Sequence, residues 1–521
     1  MLMNNEKVSK ARVGQHALAV ILPVLVITLL VSGGRWALAQ EGVWATPTVV
    51  SAPPGFSWFP DLAVDAFGSV HLVWCKSTPL EKEIGGVKDQ VQYAYWHGES
   101  WTKPNDIVPP SADIVRNAIA TDLEGNVHLI FGGSVYNRNF GLYHRKAAPS
   151  EAWSAAAWST PHLINHGTSY MGDMAVDSQG VIHVIYDDKI VYAGEDFPAM
   201  ADIFYRRSTN GGHTWSAPVN LDPGLRTGSA RPYIEVDSGD VVHVTWDEGW
   251  DRLTGRMSDT AYSVYTFSSD RGETWASPTV IDYPDAMTAQ LTVGGDGQGG
   301  VMLVWRSTAR DEIFYQWSTD GGQSWNAPAV IPWIFARPWT IPFDMYDMAA
   351  DSAGQIHLLV VGRMSQAQEA LLGVYHLVWD GSGWSAPTRI FAEPGLYPEY
   401  PKIVVHEGNQ LHVAWFTREG SVWDQEVNRE VWYTSSQSPA PHQPVTPMPT
   451  STPVPPTPTF PPTPTITPYP TVSLEGTGLP DGLRTETDDV IWLAVALSPV
   501  ALVILVVIAA RVGWRSRIRW L

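Results

Sequence analysis

The plainest turn signature in this chain is Ser268-Ser269-Asp270-Arg271-Gly272-Glu273-Thr274-Trp275. It recurs at 318–325 with serine in place of threonine, and at 208–215 with asparagine in place of aspartate. Aspartate accepts hydrogen bonds from nearby backbone N–H groups, glycine permits a positive φ, and tryptophan supplies a large ring for packing. The pattern therefore predicts a locked β-hairpin whose tryptophan packs into a sheet.

Two longer repeats run outward from this signature. One is W-x-x-P, which occurs as Trp44/Pro47, Trp101/Pro104, Trp158/Pro161, Trp215/Pro218, Trp275/Pro278, Trp325/Pro328 and Trp384/Pro387. The other is an apolar strand, a D-x-x-G-like turn and a second apolar strand, with turns beginning at Asp65, Asp122, Asp177, Asp237, Asp296, Asp351 and His406. The turns are 55 to 60 residues apart. A fixed period of this length is typical of a repeat architecture, and both repeats have seven copies.

Each unit has four short strands separated by Gly, Asp and Asn turns, which predicts a four-stranded antiparallel meander. Such units arranged in a ring make a β-propeller, an all-β fold. The first W-x-x-P strand, 44–50, precedes any complete unit, and the last unit ends at 430–436 without one. We therefore predict a seven-bladed propeller over 42–436 whose N-terminal strand completes the last blade. Six or eight blades would require one unit to be misread.

The turn signature resembles the Asp-box, the bacterial neuraminidase repeat of sialidases and related propellers, and the resemblance covers 42–436. It implies that the box lies opposite the active site, so it identifies a fold rather than a reaction. A sialidase would also need three arginines for the substrate carboxylate, a Tyr–Glu nucleophile pair and an Asp acid/base. The family's early F-R-I-P motif is absent, and Phe59-Pro60-Asp61 stands near its expected place.

The segments outside the propeller predict display on a membrane. Residues 1–39 read as a signal peptide ending in Ala-Leu-Ala, with an uncleaved anchor as the rival interpretation. Residues 437–489 are a Pro/Thr-rich stalk, which favours extended polyproline II structure. Residues 490–510 are uncharged and long enough for a single transmembrane helix, and 511–521 carry four arginines. By the positive-inside rule this basic tail is cytoplasmic and the propeller extracellular.

Charge and cysteine content exclude several classes of function. The net charge is −20, and 40–510 hold −27 once the +3 of residues 1–39 and the +4 of the tail are set aside. A nucleic-acid-binding surface is therefore not expected. The single cysteine, Cys75, excludes an intramolecular disulfide and a Cys-rich zinc site. No metal site or other cofactor is predicted, although the acidic loops leave calcium open.

Candidate site residues follow from strand alternation. Positions six and four before each turn should lie on one side of the innermost strand, at the mouth of the channel. Their polar residues are Asp61, Arg116, Asp173, Arg231, Gln290, Asp347, Tyr400 and Lys402. The residue after the aromatic end of the second strand adds Asp187, Asp247 and Arg306.

Roles can be assigned to these residues by chemical type. We predict ligand contact by arginines, an acid and one exposed aromatic, namely Arg116, Arg231, Arg306, Asp187 and Trp250. We predict acid/base or nucleophilic roles for Asp61, Asp173, Asp247, Glu399 and Tyr400. The alternative is that these charges form structural salt bridges or solvated surface, and that Trp250 belongs to a packed loop.

The predicted function is recognition of extracellular glycans or glycoproteins by a monomeric, membrane-tethered propeller. Its enzymatic form would be hydrolysis of a terminal acidic sugar, as in exo-α-sialidases. A non-catalytic adhesion or scaffolding propeller that binds protein or polysaccharide is the alternative, and a lyase or another glycosidase is a third. Three convergent arginines near a Tyr–Glu pair would favour the sialidase, whereas an uncharged face would favour the scaffold.

Overall fold

The computed structural model describes residues 43–445 apart from positions 54, 80–86, 109–113, 115, 136–139, 168, 170, 191–199, 223–227, 252–255, 285–286, 339–344, 368–369 and 420–427. The predicted signal peptide, transmembrane helix and basic tail, and the stalk beyond residue 445, lie outside the described residues. Within the described ranges, no helix has the length and apolar character needed to cross a membrane.

The described strands form seven antiparallel sheets, which we number as blades 1–7 in chain order. Strand β1 (Thr48–Val49) belongs to blade 7. Blade 1 contains β2 (Phe56–Val64), β3 (Val70–Pro79), β4 (Val87–Trp96) and β5 (Asn105–Asp106), and blade 2 contains β6 (Asn117–Thr121), β7 (Val127–Gly133), β8 (Gly141–Ala147) and β9 (His162–His166). Blade 3 contains β10 (Gly172–Val176), β11 (Ile182–Ile190), β12 (Met200–Ser208) and β13 (Val219–Asn220), blade 4 contains β14 (Ser229–Val236), β15 (Val242–Asp251), β16 (Arg256–Ser268) and β17 (Thr279–Ile281), and blade 5 contains β18 (Thr288–Gly295), β19 (Val301–Ser307), β20 (Ile313–Ser318) and β21 (Ala329–Val330). Blade 6 contains β22 (Phe335–Ala336), β23 (Tyr346–Ala350), β24 (Ile356–Arg363), β25 (Gly373–Trp379) and β26 (Thr388–Phe391), and blade 7 contains β27 (Leu396–His406), β28 (Gln410–Glu419) and β29 (Arg429–Gln437). A short 3-10 turn at Ala155–Ala157 lies between β8 and β9.

The blades close into a ring. The innermost strands β2, β6, β10, β14, β18, β23 and β27 each contact the next, and β27 contacts β2. Strand β1 pairs antiparallel with β29, with Thr48 opposite Tyr433 and Val49 opposite Trp432. The all-β, seven-bladed fold and its closure by the N-terminal strand are therefore confirmed. Blade 6 has a divided innermost strand, because β22 and β23 both pair with β24.

The Asp-box forms the hairpin lock that its residues predict. The Ser268 hydroxyl donates to Asp270 Oδ1 (2.7 Å), which also accepts the backbone N–H of Thr274 (2.8 Å). The backbone N–H of Gly272 donates to Ser268 Oγ (2.8 Å), and Gly272 has a φ of 78°. A side chain is strained at that φ, so glycine suits this position.

The seven W-x-x-P tryptophans tie neighbouring blades together. Each packs edge-to-face against a Tyr or His on the third strand of the preceding blade, with ring centroids 4.7 to 5.8 Å apart and interplanar angles of 69 to 89°. The pairs are Trp44–His376, Trp101–Tyr433, Trp158–Tyr93, Trp215–His144, Trp275–Tyr205, Trp325–Tyr265 and Trp384–Tyr315. The contacts run around the whole ring, which explains why the tryptophan recurs in every unit.

We expect Trp275→Ala to lower the free energy of unfolding by about 3 kcal/mol, because it removes a half-buried ring and its contact with Tyr205. Urea unfolding followed by circular dichroism measures this loss. The matched control is Trp153→Ala, since that ring is 56% exposed and its removal should change stability by at most about 0.5 kcal/mol. Equal losses in both variants would contradict the proposed role of the ring contacts.

The histidine that recurs in the second strand is structural. His71 is fully buried, with Nε2 3.2 Å from Asp65 Oδ2 and Nδ1 2.7 Å from the hydroxyl of Tyr93. The described blades 2, 3, 4 and 6 repeat the Asp–His pair at 3.0 to 3.4 Å. In these five blades the histidine therefore ties the turn to the sheet rather than performing chemistry.

Candidate functional site

The propeller has two faces. The turn face carries the D-x-x-G turns and Asp-boxes, and the loop face carries the connections between second and third strands and between blades. Residues 438–445 run along the turn face: Ser438 Oγ donates to Asp351 Oδ2 (3.0 Å), and Asn409 Nδ2 donates to the carbonyl of Ala440 (3.0 Å). The chain therefore leaves the propeller on the turn face.

A central cavity of 630 Å³ lies between the innermost strands. Its lining runs to turn-face residues such as Ser238, Gln298 and Gly408, and Gln443 and Val445 of the C-terminal segment also line it. The cavity therefore opens toward the turn face, beside the departing chain.

At its inner end the cavity is lined by Asp61, Asp173, Asp347 and Lys402. Each aspartate accepts a backbone N–H from the innermost strand of another blade, with N···Oδ2 distances of 2.8, 3.2 and 2.7 Å. The three aspartates thus link neighbouring blades through these hydrogen bonds, and all three carboxylates interact with the one ammonium group of Lys402. The predicted acids Asp61 and Asp173 are brought together here.

This cluster shifts the pKa of its members. Burial raises the pKa of Asp61 to about 7 against the opposing effect of Lys402, and burial raises the pKa of Asp347 to about 6. Burial alone would lower the pKa of Lys402. The carboxylates of Asp173, Asp347 and Asp61, with Tyr400, outweigh burial and hold that pKa well above its ordinary value.

A second layer of residues lies above the cavity, toward the loop face. It consists of the residues six positions before each turn, namely Phe59, Arg116, Met171, Arg231, Gln290, Met345 and Tyr400. None of them lines the cavity. The Arg116 guanidinium carbon lies 5.1 Å from the Tyr400 ring centroid and 5.5 Å from that of Phe59. The predicted ligand arginine Arg116 and nucleophile Tyr400 are therefore packed together in this layer.

The strand alternation assumed from the sequence does not hold at this layer. In β2, β14, β18 and β27 a β-bulge shifts the register between positions seven and four before the turn. Phe59, Arg231, Gln290 and Tyr400 have φ values of 51 to 61° within those bulges. A bulge inserts one residue and redirects the side chains around it. Positions six and four therefore contribute to different layers rather than to one channel mouth.

Arg231 and Asp247 form a buried ion pair in blade 4. Asp247 also accepts the Ser263 hydroxyl (2.5 Å) and the backbone N–H of Gln290 (2.9 Å). In blade 3, Asp187 Oδ1 accepts the backbone N–H of Met171 (2.8 Å). These predicted site residues hold the upper layer in place.

A cluster of arginines occupies the loop face across blades 5 to 7. This arginine array consists of Arg306, Arg337, Arg363, Arg418 and Arg429, each at most 8% exposed. Two described carboxylates pair with it. Glu399 Oε1 lies 2.5 Å from Arg337 Nη1 and 2.7 Å from Arg418 Nε, and Asp311 pairs with Arg363 and lies 3.9 Å from Arg306.

The arginines of the array influence one another. Burial lowers the pKa of Arg306, and the charges of Arg337 and Arg363 lower it further. Burial also lowers the pKa of Arg337 and Arg429, with an added contribution from Arg418 in both cases. The array therefore concentrates five guanidinium groups in one region of a chain whose net charge is −20. Guanidinium groups match carboxylate and sulfate-like oxygens in a bidentate geometry.

Of the predicted site residues, Arg306 belongs to the array and Glu399 pairs with two of its other arginines. The other four arginines were missed as a cluster, although a signal existed. Arg363 and Arg418 lie six positions after the second-strand histidines His357 and His412. This is two residues beyond the position, after the aromatic end of the second strand, from which Arg306 was predicted. The side chain of Trp250 lies outside the described residues. In the described part of the chain, no three His, Cys, Asp or Glu side chains are placed to hold a metal ion, and the calcium alternative stays open.

Residues 145–413 match the family described as BNR repeat-like domain. The chain belongs to this family. The match spans more than half of the sequence, and it confirms the resemblance carried by the three Asp-boxes. No curated protein matches the chain.

Solved structures similar to this BNR repeat-like propeller share little sequence with it. A Dyadobacter fermentans protein of unknown function is 14% identical, with a TM-score of 0.46 over 76% of this chain and 99% of that one. The NanB sialidase of Streptococcus pneumoniae is 13% identical, with a TM-score of 0.42 over 75% and 70%. An ulvan lyase from a new polysaccharide lyase family is 12% identical, with a TM-score of 0.47 over 75% and 93%.

Proposed function

We propose that this BNR repeat-like propeller binds acidic glycans on its loop face, through the arginine array of blades 5 to 7. The observation that carries the proposal is the concentration of five buried arginines on one face of a strongly acidic chain. A buried guanidinium is held in one orientation, so it loses little freedom when an anion binds. The resemblance to sialidases supports a carboxylated sugar as that anion.

The position of the C-terminal segment supports display of this face away from the cell. The chain leaves the propeller on the turn face, so the predicted stalk begins on the side opposite the array. If residues 490–510 span the membrane, as the sequence predicts, the array is available to glycans or glycoproteins outside the cell. Membrane anchoring and a monomeric state are parts of this proposal.

Binding without hydrolysis is the form proposed here, because the predicted nucleophile Tyr400 is buried against Arg116. Near Arg306 the Tyr346 hydroxyl is buried and has no hydrogen-bond partner among the described residues. Burial raises the pKa of Tyr346 to about 12, so the phenol is protonated at neutral pH and a nucleophilic role would require a base. Exo-sialidase-type hydrolysis is the enzymatic alternative, and release of a fluorophore from a fluorogenic sialoside would establish it.

The test is binding of the purified full chain, in detergent, to paired acidic and neutral glycans by calorimetry. We expect Arg306→Lys and Arg418→Lys each to weaken acidic-glycan binding about tenfold, because lysine keeps the charge but loses the bidentate geometry. Arg271→Lys is the matched control, since Arg271 is paired with Asp240 on the turn face.

Two results would overturn the proposal. One is a folded wild-type chain that binds no acidic glycan. The other is a loss in Arg271→Lys as large as that in Arg418→Lys, because the effect would then not be specific to the loop face.

A further inference from the structure

Trp333 is exposed and strained beside the arginine array. Its side chain is 59% exposed, although Ile331 and Ile334 around it are buried. Its φ is 63°, in the left-handed region where a bulky side chain is unfavourable. Nothing in the packing of a stable fold requires a strained, exposed tryptophan. Strain of this kind occurs at functional sites.

The chain places Trp333 close to two arginines of the array. Phe335, two residues on, pairs with Arg363, and Arg337 is four residues on. Because an extended chain advances at most about 3.6 Å per residue, the backbone of Phe335 lies within about 7 Å of that of Trp333, and the backbone of Arg337 within about 14 Å.

A second exposed aromatic occupies the equivalent place in the preceding blade. Tyr283 follows the buried Ile281 by two residues, as Trp333 follows Ile331, and it is 48% exposed. Its carbonyl accepts a hydrogen bond from Trp305 Nε1 (2.8 Å), and Trp305 immediately precedes Arg306. The two aromatics therefore lie at the blade 4–5 and blade 5–6 boundaries, on either side of the strand that carries Arg306.

We infer that Trp333 and Tyr283 are stacking platforms for sugar rings at the blade 5 end of the arginine array. The ligand would then be an extended acidic polysaccharide, bound along consecutive blades by several sugar units, rather than a single terminal sugar. Aromatic faces suit the apolar faces of sugar rings, and the arginine array beside them suits the carboxylates of neighbouring sugar units. The inference rests on the proposed function and names its substrate class.

The experiment measures the affinity of the full chain for oligogalacturonates and oligosialic acids, from monosaccharide to hexamer, by calorimetry. For wild type we expect affinity to rise at least about tenfold with length. Trp333→Ala and Tyr283→Ala should each lower hexamer affinity about tenfold and leave monosaccharide affinity unchanged. Trp153→Ala, which removes a ring of similar exposure on the turn face, should change neither.

The outcomes separate this inference from the proposed function. If the aromatic variants keep the wild-type dependence on length while Arg418→Lys still weakens binding, the inference is wrong and the proposed function stands. If wild type binds neither the monosaccharide nor the hexamer, the proposed function fails and takes the inference with it.

A further variant separates strain from binding. Trp333→Gly removes the same ring as Trp333→Ala but tolerates the positive φ, so we expect a higher melting temperature than for Trp333→Ala and the same loss of hexamer affinity. A glycine variant with the lower melting temperature would show that the strain argument is wrong.

Discussion

Glu399→Ala is expected to lower the free energy of unfolding by about 3 to 5 kcal/mol, because it leaves two buried guanidinium groups without their carboxylate. Glu399 is fully buried and accepts from both Arg337 and Arg418 through Oε1. Urea denaturation at neutral pH measures the loss. Glu399→Gln keeps a hydrogen-bond acceptor without the charge, so its loss of unfolding free energy should lie between zero and that of Glu399→Ala.

The control for this prediction is Glu419→Ala, at the exposed end of β28. Surface changes of this kind shift stability by at most about 0.5 kcal/mol. Because an anionic ligand can replace the missing carboxylate, hexamer binding should raise the melting temperature of Glu399→Ala more than that of wild type. The same loss in Glu399→Ala and Glu419→Ala would exclude a structural role for the buried pair.

Lys402→Met is the second large effect, and it should depend on pH. Among the described residues, Lys402 supplies the positive charge that faces Asp61, Asp173 and Asp347. Its removal at pH 8 leaves three carboxylates that repel one another, which should lower the free energy of unfolding by about 3 to 5 kcal/mol. At pH 5 the loss should be much smaller. The folded-state pKa values of about 7 for Asp61 and about 6 for Asp347 mean that both are already protonated there.

The sign of the pH dependence follows from these raised pKa values. Between about pH 4 and 7 the folded state binds protons at Asp61 and Asp347 that the unfolded chain has released. Their contribution to stability is therefore complete below the unfolded pKa and is lost as pH rises through 6 and 7. Melting temperatures at pH 5 and pH 8 measure the effect for wild type and Lys402→Met. Lys103→Met, at an exposed position, is the control. An equal deficit of Lys402→Met at both pH values would contradict the assignment.

Much of the fold could be predicted because its determinants are local and repeated. Each Asp-box contains its own turn donors and acceptors, and each W-x-x-P tryptophan recurs at the spacing of one blade. Seven copies of each, with Trp44 preceding the first complete unit, were enough to predict seven blades and the pairing of β1 with β29.

The site was less predictable because its geometry departs from strand alternation. The bulges at Arg231 and Tyr400 place these residues in a packed layer above the cavity, whereas the period-two rule placed them at a channel mouth with Asp61. A bulge of this kind depends on contacts between blades, which the local pattern does not reveal. The catalytic and ligand-contact roles predicted for the individual residues stay predictions.

The sequence by itself determined the blade count, the ring closure, the faces on which turns and loops lie, and the acidic character of the chain. The blade count and the two faces depend on hydrogen bonds and packing within about 60 residues, which a repeated pattern specifies. Ring closure followed from the additional W-x-x-P strand at 44–50, and the acidic character is a sum over the residues. Only the tertiary structure decided which charges meet. Arg306 and Arg429 lie more than a hundred residues apart in the chain, and they share one array because ring closure brings blades 5, 6 and 7 side by side. Electrostatic interactions depend on separation in space, and burial strengthens them.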